Sequence, residues 1–269
     1  MSQDINESDK QSELPPAPAT EISPLLLVTG ALGGVGRAVA AAALAEGWRV
    51  AAVSRRSSEQ GEHAGSERYL AITADVSTAA GATAAFEQAS AHFGETPSRL
   101  CHAAGNVRLG AIERSSEEQW RQVMAANLDS AYFTLRAYAQ ARAEQSGGAA
   151  VLFSSVAARI GTPNHAAVAA AKAGVEGLVR ALAADWSPRG WRINALALGL
   201  TETPMTEAFT RNERMRQGVT AQYPLARLGE AGEVARWALR LLDSGSWVTG
   251  QILPVDGGFS AVRPLVKVV

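Results

Sequence analysis

Short apolar runs recur along the chain. Each is followed by a break of small or polar residues, then by a longer stretch with helical spacing. The runs are 25–29 (LLLVT), 48–53 (WRVAAV), 68–73 (RYLAIT), the start of 99–105 (RLCHAAG), 149–155 (AAVLFSS), 191–198 (WRINALAL) and 250–256 (GQILPVD). Their length and β-branched content predict strands. Between them, an Ala-rich stretch ending at Gly47 and the segments 78–93, 115–144, 164–186 and 230–243 predict helices. Ser115, with Glu118 three residues on, predicts a capping-box start for the 115–144 helix. Strands that alternate with helices pair in parallel, because parallel neighbours need a crossover. The expected fold class is therefore α/β, a doubly wound parallel sheet in a single domain over 24–269. Ligands in such sheets lie at the carboxyl ends of the strands. The segment 204–222 is polar, helical in tendency and without a strand, and it reads as a substrate lid. No internal repeat or second domain is visible.

Composition narrows the function classes. Of 269 residues, 47% are hydrophobic, enough for a packed core, and the formal net charge is −1. That balance argues against nucleic-acid or membrane binding driven by bulk charge. No apolar run approaches the ~20 residues that cross a bilayer. Cys101 is the only cysteine, so no disulfide forms within the chain; this fits a cytoplasmic location. No cluster of residues has metal-ligand spacing. Residues 1–23 are polar and acidic, with Pro15, Pro16 and Pro18, and are expected to be a disordered tail.

Candidate chemistry begins at TGALGGVG, 29–36, which leaves a strand and opens a helix. Gly30 permits a tight turn, Gly34 lets backbone approach a pyrophosphate, and Gly36 lets helix pack closely on sheet. Free N–H groups and the helix dipole favour phosphate at Gly34, Val35 and Gly36. This is a Rossmann-type signature. Strand two ends in Ser54, Arg55 and Arg56, where an NAD enzyme commonly places an acid for the ribose 2′-hydroxyl. An arginine fork suits a 2′-phosphate, so NADP(H) is expected over NAD(H). A solvated basic loop is the plainer alternative.

The spacing T-G-x-x-x-G-x-G resembles the short-chain dehydrogenase/reductase family, and the resemblance extends over nearly all of 25–260. CHAAG, 101–105, stands where that family has an N-N-A-G-like loop, with Ala103 in place of a common asparagine. Asn127 matches its structural asparagine, Lys172 its lysine, and VTGQILPVDGG its C-terminal strand. Ser155 lies thirteen positions before residue 168, the family's serine-to-tyrosine spacing. The resemblance implies that Asp75 and Val76 border the adenine and that Ala104 and Gly105 lie beside the adenosine ribose. It also implies that Thr203 reaches the nicotinamide carboxamide and that Lys172 holds the nicotinamide ribose. Ser155 would orient the substrate, and Asn127 would fix Lys172 through a water. A homodimer or homotetramer built partly through 115–144 and 164–186 is implied as well.

Two departures stand out. Leu198 occupies the usual proline position before Gly199, and Val168 occupies the tyrosine position. General acid catalysis is worth about 10²–10⁴-fold, and valine supplies none. His165, seven positions before Lys172, shares its helix face one turn beyond Val168 and is the candidate substitute. There a neutral imidazole is expected to donate an N–H to substrate, since the helix N-terminus and Lys172 both disfavour imidazolium. His102 and Tyr223 are weaker candidates, His102 being expected to pack structurally. The expected function is NADPH-dependent reduction of a carbonyl, enoyl or imine bond in a small molecule, with an altered proton donor. The alternatives are a catalytically inactive nucleotide-binding sensor or assembly partner, or a non-redox lyase or isomerase.

Overall fold

The computed structural model of the protein describes residues 23–56, 63 and 65–262. Except for Ser23, the segment expected to be a tail lies outside them.

The elements run β1 (Leu25–Thr29), α1 (Gly34–Ala45), β2 (Arg49–Ser54), β3 (Tyr69–Thr73), α2 (Ala79–Phe93) and β4 (Arg99–His102). They continue with α3 (Glu117–Met124), α4 (Ser130–Ala141), β5 (Gly148–Ser155), α5 (Ala166–Trp186) and β6 (Trp191–Leu198). The C-terminal part holds β7 (Thr201–Glu202), α6 (Glu213–Thr220), β8 (Gly229–Glu230), α7 (Ala231–Leu242) and β9 (Ile252–Val255). Seven strands form one parallel sheet in the order β3-β2-β1-β4-β5-β6-β9. The expected α/β doubly wound sheet is therefore present. Its central strands are buried on both faces, so they read as continuous apolar runs rather than alternations. One apolar layer gathers Phe86, Leu135, Val175 and Trp191 on one face of the sheet. The other gathers Val39, Trp48, Val234 and Leu239 on the opposite face.

Three local readings differ from expectation. The 115–144 segment is not one uniform helix: a π-helical turn, Ala125–Asp129, separates α3 from α4. Its cap is Ser116, paired with Gln119, and not Ser115 with Glu118. The Ser115 hydroxyl is already engaged, donating to the Ala111 carbonyl at 3.1 Å and closing the preceding turn. Finally, β7 and β8 form a separate parallel pair, Thr201↔Gly229 and Glu202↔Glu230, that frames the 204–222 excursion. That excursion holds α6 and a short 3₁₀ turn, Glu207–Phe209, and contains no strand.

Candidate active site

The crossing from β1 to α1 is shaped by bare backbone. Gly30 has φ +65°, and a Cβ there would lie 2.5 Å from the Ala103 carbonyl oxygen. A Cβ on Gly36 would lie 2.3 Å from the Gly30 carbonyl oxygen, so α1 can close onto the turn only without one. Gly34 faces Thr203, whose Cγ2 would be 2.6 Å from an added Cβ. Thr203, at the start of the 204–222 excursion, thus rests directly on the glycine loop. Val35 packs against the core below that loop.

A cleft of about 980 Å³ opens along the carboxyl ends of β1 to β4. Gly30, Gly34, Ser54, Arg55, Arg56, Asp75, Val76, Ala104 and Gly105 all line it, whereas Val35, Gly36 and Thr203 do not. Pro204 and Met205, at the start of the 204–222 excursion, line it as well. At the β2 end, the Ser54 hydroxyl donates to the Arg56 carbonyl at 2.5 Å and folds the chain so that Arg55 and Arg56 are exposed. Among the described residues, neither guanidinium is in an ion pair. The Ser77 hydroxyl holds Asp75 below its ordinary pKa, and the charge of Arg55 adds to the effect. The size of the cleft, its glycine floor and its basic end fit a dinucleotide.

Next to the cleft, β5 and α5 are laced together, although Ser155, Lys172 and Asn127 are not among the residues that line it. Lys172 Nζ donates to the Phe153 carbonyl at 2.9 Å, and burial lowers its pKa to about 8. Ser154 donates to Glu176 at 3.0 Å, and Arg159 grips the same buried carboxylate through Nε at 3.1 Å. The Ser155 hydroxyl accepts the Ala157 N–H at 3.2 Å and, among the described residues, donates to no acceptor. Gly105 lies between two side chains of this region. A Cβ on it would be 2.8 Å from Asn127 Oδ1 and 3.6 Å from Lys172 Nζ. The structure thus brings Asn127 and Lys172 to Gly105 at the cleft's inner end.

Val168 is 3% exposed and packs with Val123, Ala171 and Leu109. His165 is the N-cap position of α5 and half-buried. Its Nδ1 lies 2.7 Å from the Pro163 carbonyl, an acceptor only, so Nδ1 carries the hydrogen. A neutral imidazole then presents a lone pair at Nε2. In that tautomer the Nδ1–H is committed to the Pro163 carbonyl, and Nε2 is left as the acceptor. His165 is not among the residues that line the cleft.

The weaker candidates are structural. Ser130 Oγ donates to the Ala126 carbonyl, so it accepts the Nε2–H of His102 at 3.2 Å. Thr29 Oγ1 then donates to His102 Nδ1 at 2.9 Å while accepting the Ala104 N–H at 3.3 Å. Burial, with the nearby Lys172 charge, lowers the His102 pKa to about 3, so it stays neutral. The Tyr223 hydroxyl accepts the Leu200 N–H at 2.7 Å and props the turn after Leu198. Burial pushes the Cys101 thiol up and leaves it inert.

Sequence reasoning missed Asn106, Gln122, Ala125, Ala126 and Ser130 as cleft residues. Asn106 directly follows Gly105 and reads in sequence as an ordinary loop residue.

Residues 30–260 match the family model described as enoyl-(acyl carrier protein) reductase. The chain is 36% identical over 239 residues to galactitol 2-dehydrogenase (L-tagatose-forming) of Cereibacter sphaeroides, covering 87% of this chain and 93% of the relative. It is 34% identical over 244 residues to the 3-oxoacyl-[acyl-carrier-protein] reductase FabG of Escherichia coli K12, covering 88% and 98%. The crystal structure of a putative 2-deoxy-D-gluconate 3-dehydrogenase from Agrobacterium tumefaciens, with bound NADP, superposes with a TM-score of 0.80 at 31% identity, covering 89% and 97%. With the parallel sheet and its glycine-floored cleft, these likenesses make the chain a member of the short-chain dehydrogenase/reductase family and an NAD(P)-dependent oxidoreductase.

Proposed function

We propose that the protein interconverts a carbonyl and an alcohol on a small, hydroxylated or acyl substrate, with NADP(H) preferred over NAD(H). The observation that carries the reading is the cleft itself, with the exposed Arg55 and Arg56 at one end and Gly105, beside the Lys172 ammonium, at the other. When bound, the dinucleotide supplies or receives the hydride. Arg55 and Arg56 would take its 2′-phosphate, with Ser54 beside them. Gly34, Val35 and Gly36 would receive the diphosphate, and Asp75, Val76, Ala104 and Gly105 would border the adenosine. Thr203 would meet the carboxamide, and Lys172 the nicotinamide ribose. The NADP held by the Agrobacterium neighbour supports this cofactor. The substrates named for the two relatives, a polyol and a 3-oxoacyl chain, support the substrate classes.

Val168 stands where the resemblance places a tyrosine, so the proton must be exchanged elsewhere. His165, the N-cap of α5, lies three positions before Val168 and seven before Lys172, a spacing that would bring it over their face of the helix. It would take the proton of an alcohol during oxidation and return it as imidazolium during reduction. Ser155, with its free O–H, would orient the oxygen, and Asn127 would hold the Lys172 end of the site. The 204–222 segment would close over substrate. Trp120 on α3 and Tyr132 on α4 are exposed, which supports assembly through these helices into a homodimer or homotetramer.

The test is a panel of galactitol, L-tagatose and acetoacetyl thioesters with NADPH, NADH and their oxidised forms. Turnover with NADP(H) favoured is expected, and His165→Ala should lower kcat about 10²-fold or more. Equal use of NADH, or no turnover of any pair, overturns the reading. Unchanged kcat in His165→Ala removes the histidine alone.

A further inference from the structure

Asn106 combines three properties that no other uncharged side chain of the cleft shares. It lines the cleft, it is fixed by a buried partner, and among the described residues its side-chain N–H groups make no hydrogen bond. Asn127, 1% exposed, donates from Nδ2 to the Val123 carbonyl at 3.0 Å and to Asn106 Oδ1 at 2.9 Å. Its Oδ1 accepts the Asn106 backbone N–H at 3.3 Å. The Val123 carbonyl can only accept, so the Asn127 amide cannot be flipped. The atom of Asn106 facing it must then be the oxygen. Asn106 Nδ2 is then the amide atom not facing Asn127; the side chain is part-exposed, and among the described residues Nδ2 makes no hydrogen bond. Its preceding residue, Gly105, has Asn127 and Lys172 as its closest side-chain neighbours.

We propose that Asn106 is a substrate-binding and catalytic residue. Its carboxamide Nδ2–H donates to the substrate oxygen on which negative charge develops, beside the nicotinamide end of the cleft. The inference rests on the oxidoreductase reading above and adds a named group to it. Asn106 gives up no proton: it holds the oxygen, and the proton comes from His165 or solvent. A fixed amide dipole is suited to this, because it costs no reorganisation when charge appears. Polarised oxygen is its ligand, so the favoured substrates are carbonyl and alcohol pairs rather than imines.

Two variants separate this role from support of Asn127. Asn106→Asp keeps an oxygen for Asn127 Nδ2 and removes the donors, whereas Asn106→Leu removes both. Both are measured for NADPH affinity by fluorescence, for melting temperature, and for kcat and KM with the best pair from the panel. The donor role predicts a kcat loss of about 10²-fold or more in both variants. NADPH affinity and melting temperature should stay near the parent's in Asn106→Asp. Full kcat in Asn106→Asp, with loss only in Asn106→Leu, overturns the proposal and leaves a structural role. A kcat loss in Asn106→Asp that tracks weakened NADPH binding or lowered melting also overturns it. If the parent protein turns over nothing while binding NADPH, the oxidoreductase reading fails first, and Asn106 falls with it.

Discussion

Arg55 and Arg56 illustrate how a cofactor preference can rest on two side chains. Both are exposed at the end of β2, and Ser54 is spent on the Arg56 carbonyl. A hydrogen bond to a charged group is worth about 1.5–3 kcal/mol, less when solvent screens it. Replacing both arginines with alanine should weaken NADPH binding by about tenfold to a hundredfold and leave NADH nearly unaffected. Titration of dinucleotide fluorescence measures both affinities. An equal loss for the two dinucleotides would show that the arginines only attract anions in general. Val168 shows packing at the same scale: its side chain fills a small apolar cluster with Val123 and Ala171.

At the level of elements, α5 carries a destabilising charge. Burial lowers Lys172 from 10.5 to about 8, so the folded chain disfavours its ammonium. Below pH 8 the group is charged whether folded or not, and the full penalty stands. Between pH 8 and 10.5 the unfolded chain binds more protons, so stability from this group rises with pH, and above 10.5 the penalty is gone. The penalty is on the order of 3 kcal/mol before the Phe153 hydrogen bond is counted. Lys172→Met should therefore raise the melting temperature near pH 7, with the gain shrinking towards pH 10. A gain of the same size at both pH values would contradict the assignment of charge burial as its cause. The strands and most helices were legible because β1 and β6, for example, are short apolar runs buried on both faces. The π turn at Ala125–Asp129 was not, because apolar spacing continues through it and the break depends on tertiary contacts. The β7–β8 pair is too short to leave a pattern. Asn106 and Asn127 are 21 positions apart, so no local signal announces their pairing. The tautomer of His165 was equally hidden, since it depends on where the Pro163 carbonyl points.

The whole molecule divides its labour across the sheet. The cleft is built on the ends of β1 to β4 and on the turn between α3 and α4, the junction of β5 with α5 lies behind Gly105, and the excursion between β7 and β8 returns to the glycine loop. Three threonine-centred bonds hold its stem. Thr206 Oγ1 donates to the Thr201 carbonyl at 2.6 Å, and it accepts the Thr203 N–H at 3.0 Å and bonds Thr203 Oγ1 at 3.1 Å. Beyond that stem, α6 buries no side chain, so 204–222 has little packing of its own to resist opening. Thr203 also touches Gly34, the point where a diphosphate would pass. A ligand there would meet this stem. Saturating NADPH should therefore slow hydrogen exchange at amides of 204–222 while the exchange of β4, β5 and β6 amides changes only by the global term. That global term is about 2.7 kcal/mol at a hundred times Kd. Protection of the sheet alone would show that the excursion ignores the cofactor. Protection of 204–222 would make the lid a reader of dinucleotide occupancy, closing only over a cleft that can already transfer a hydride.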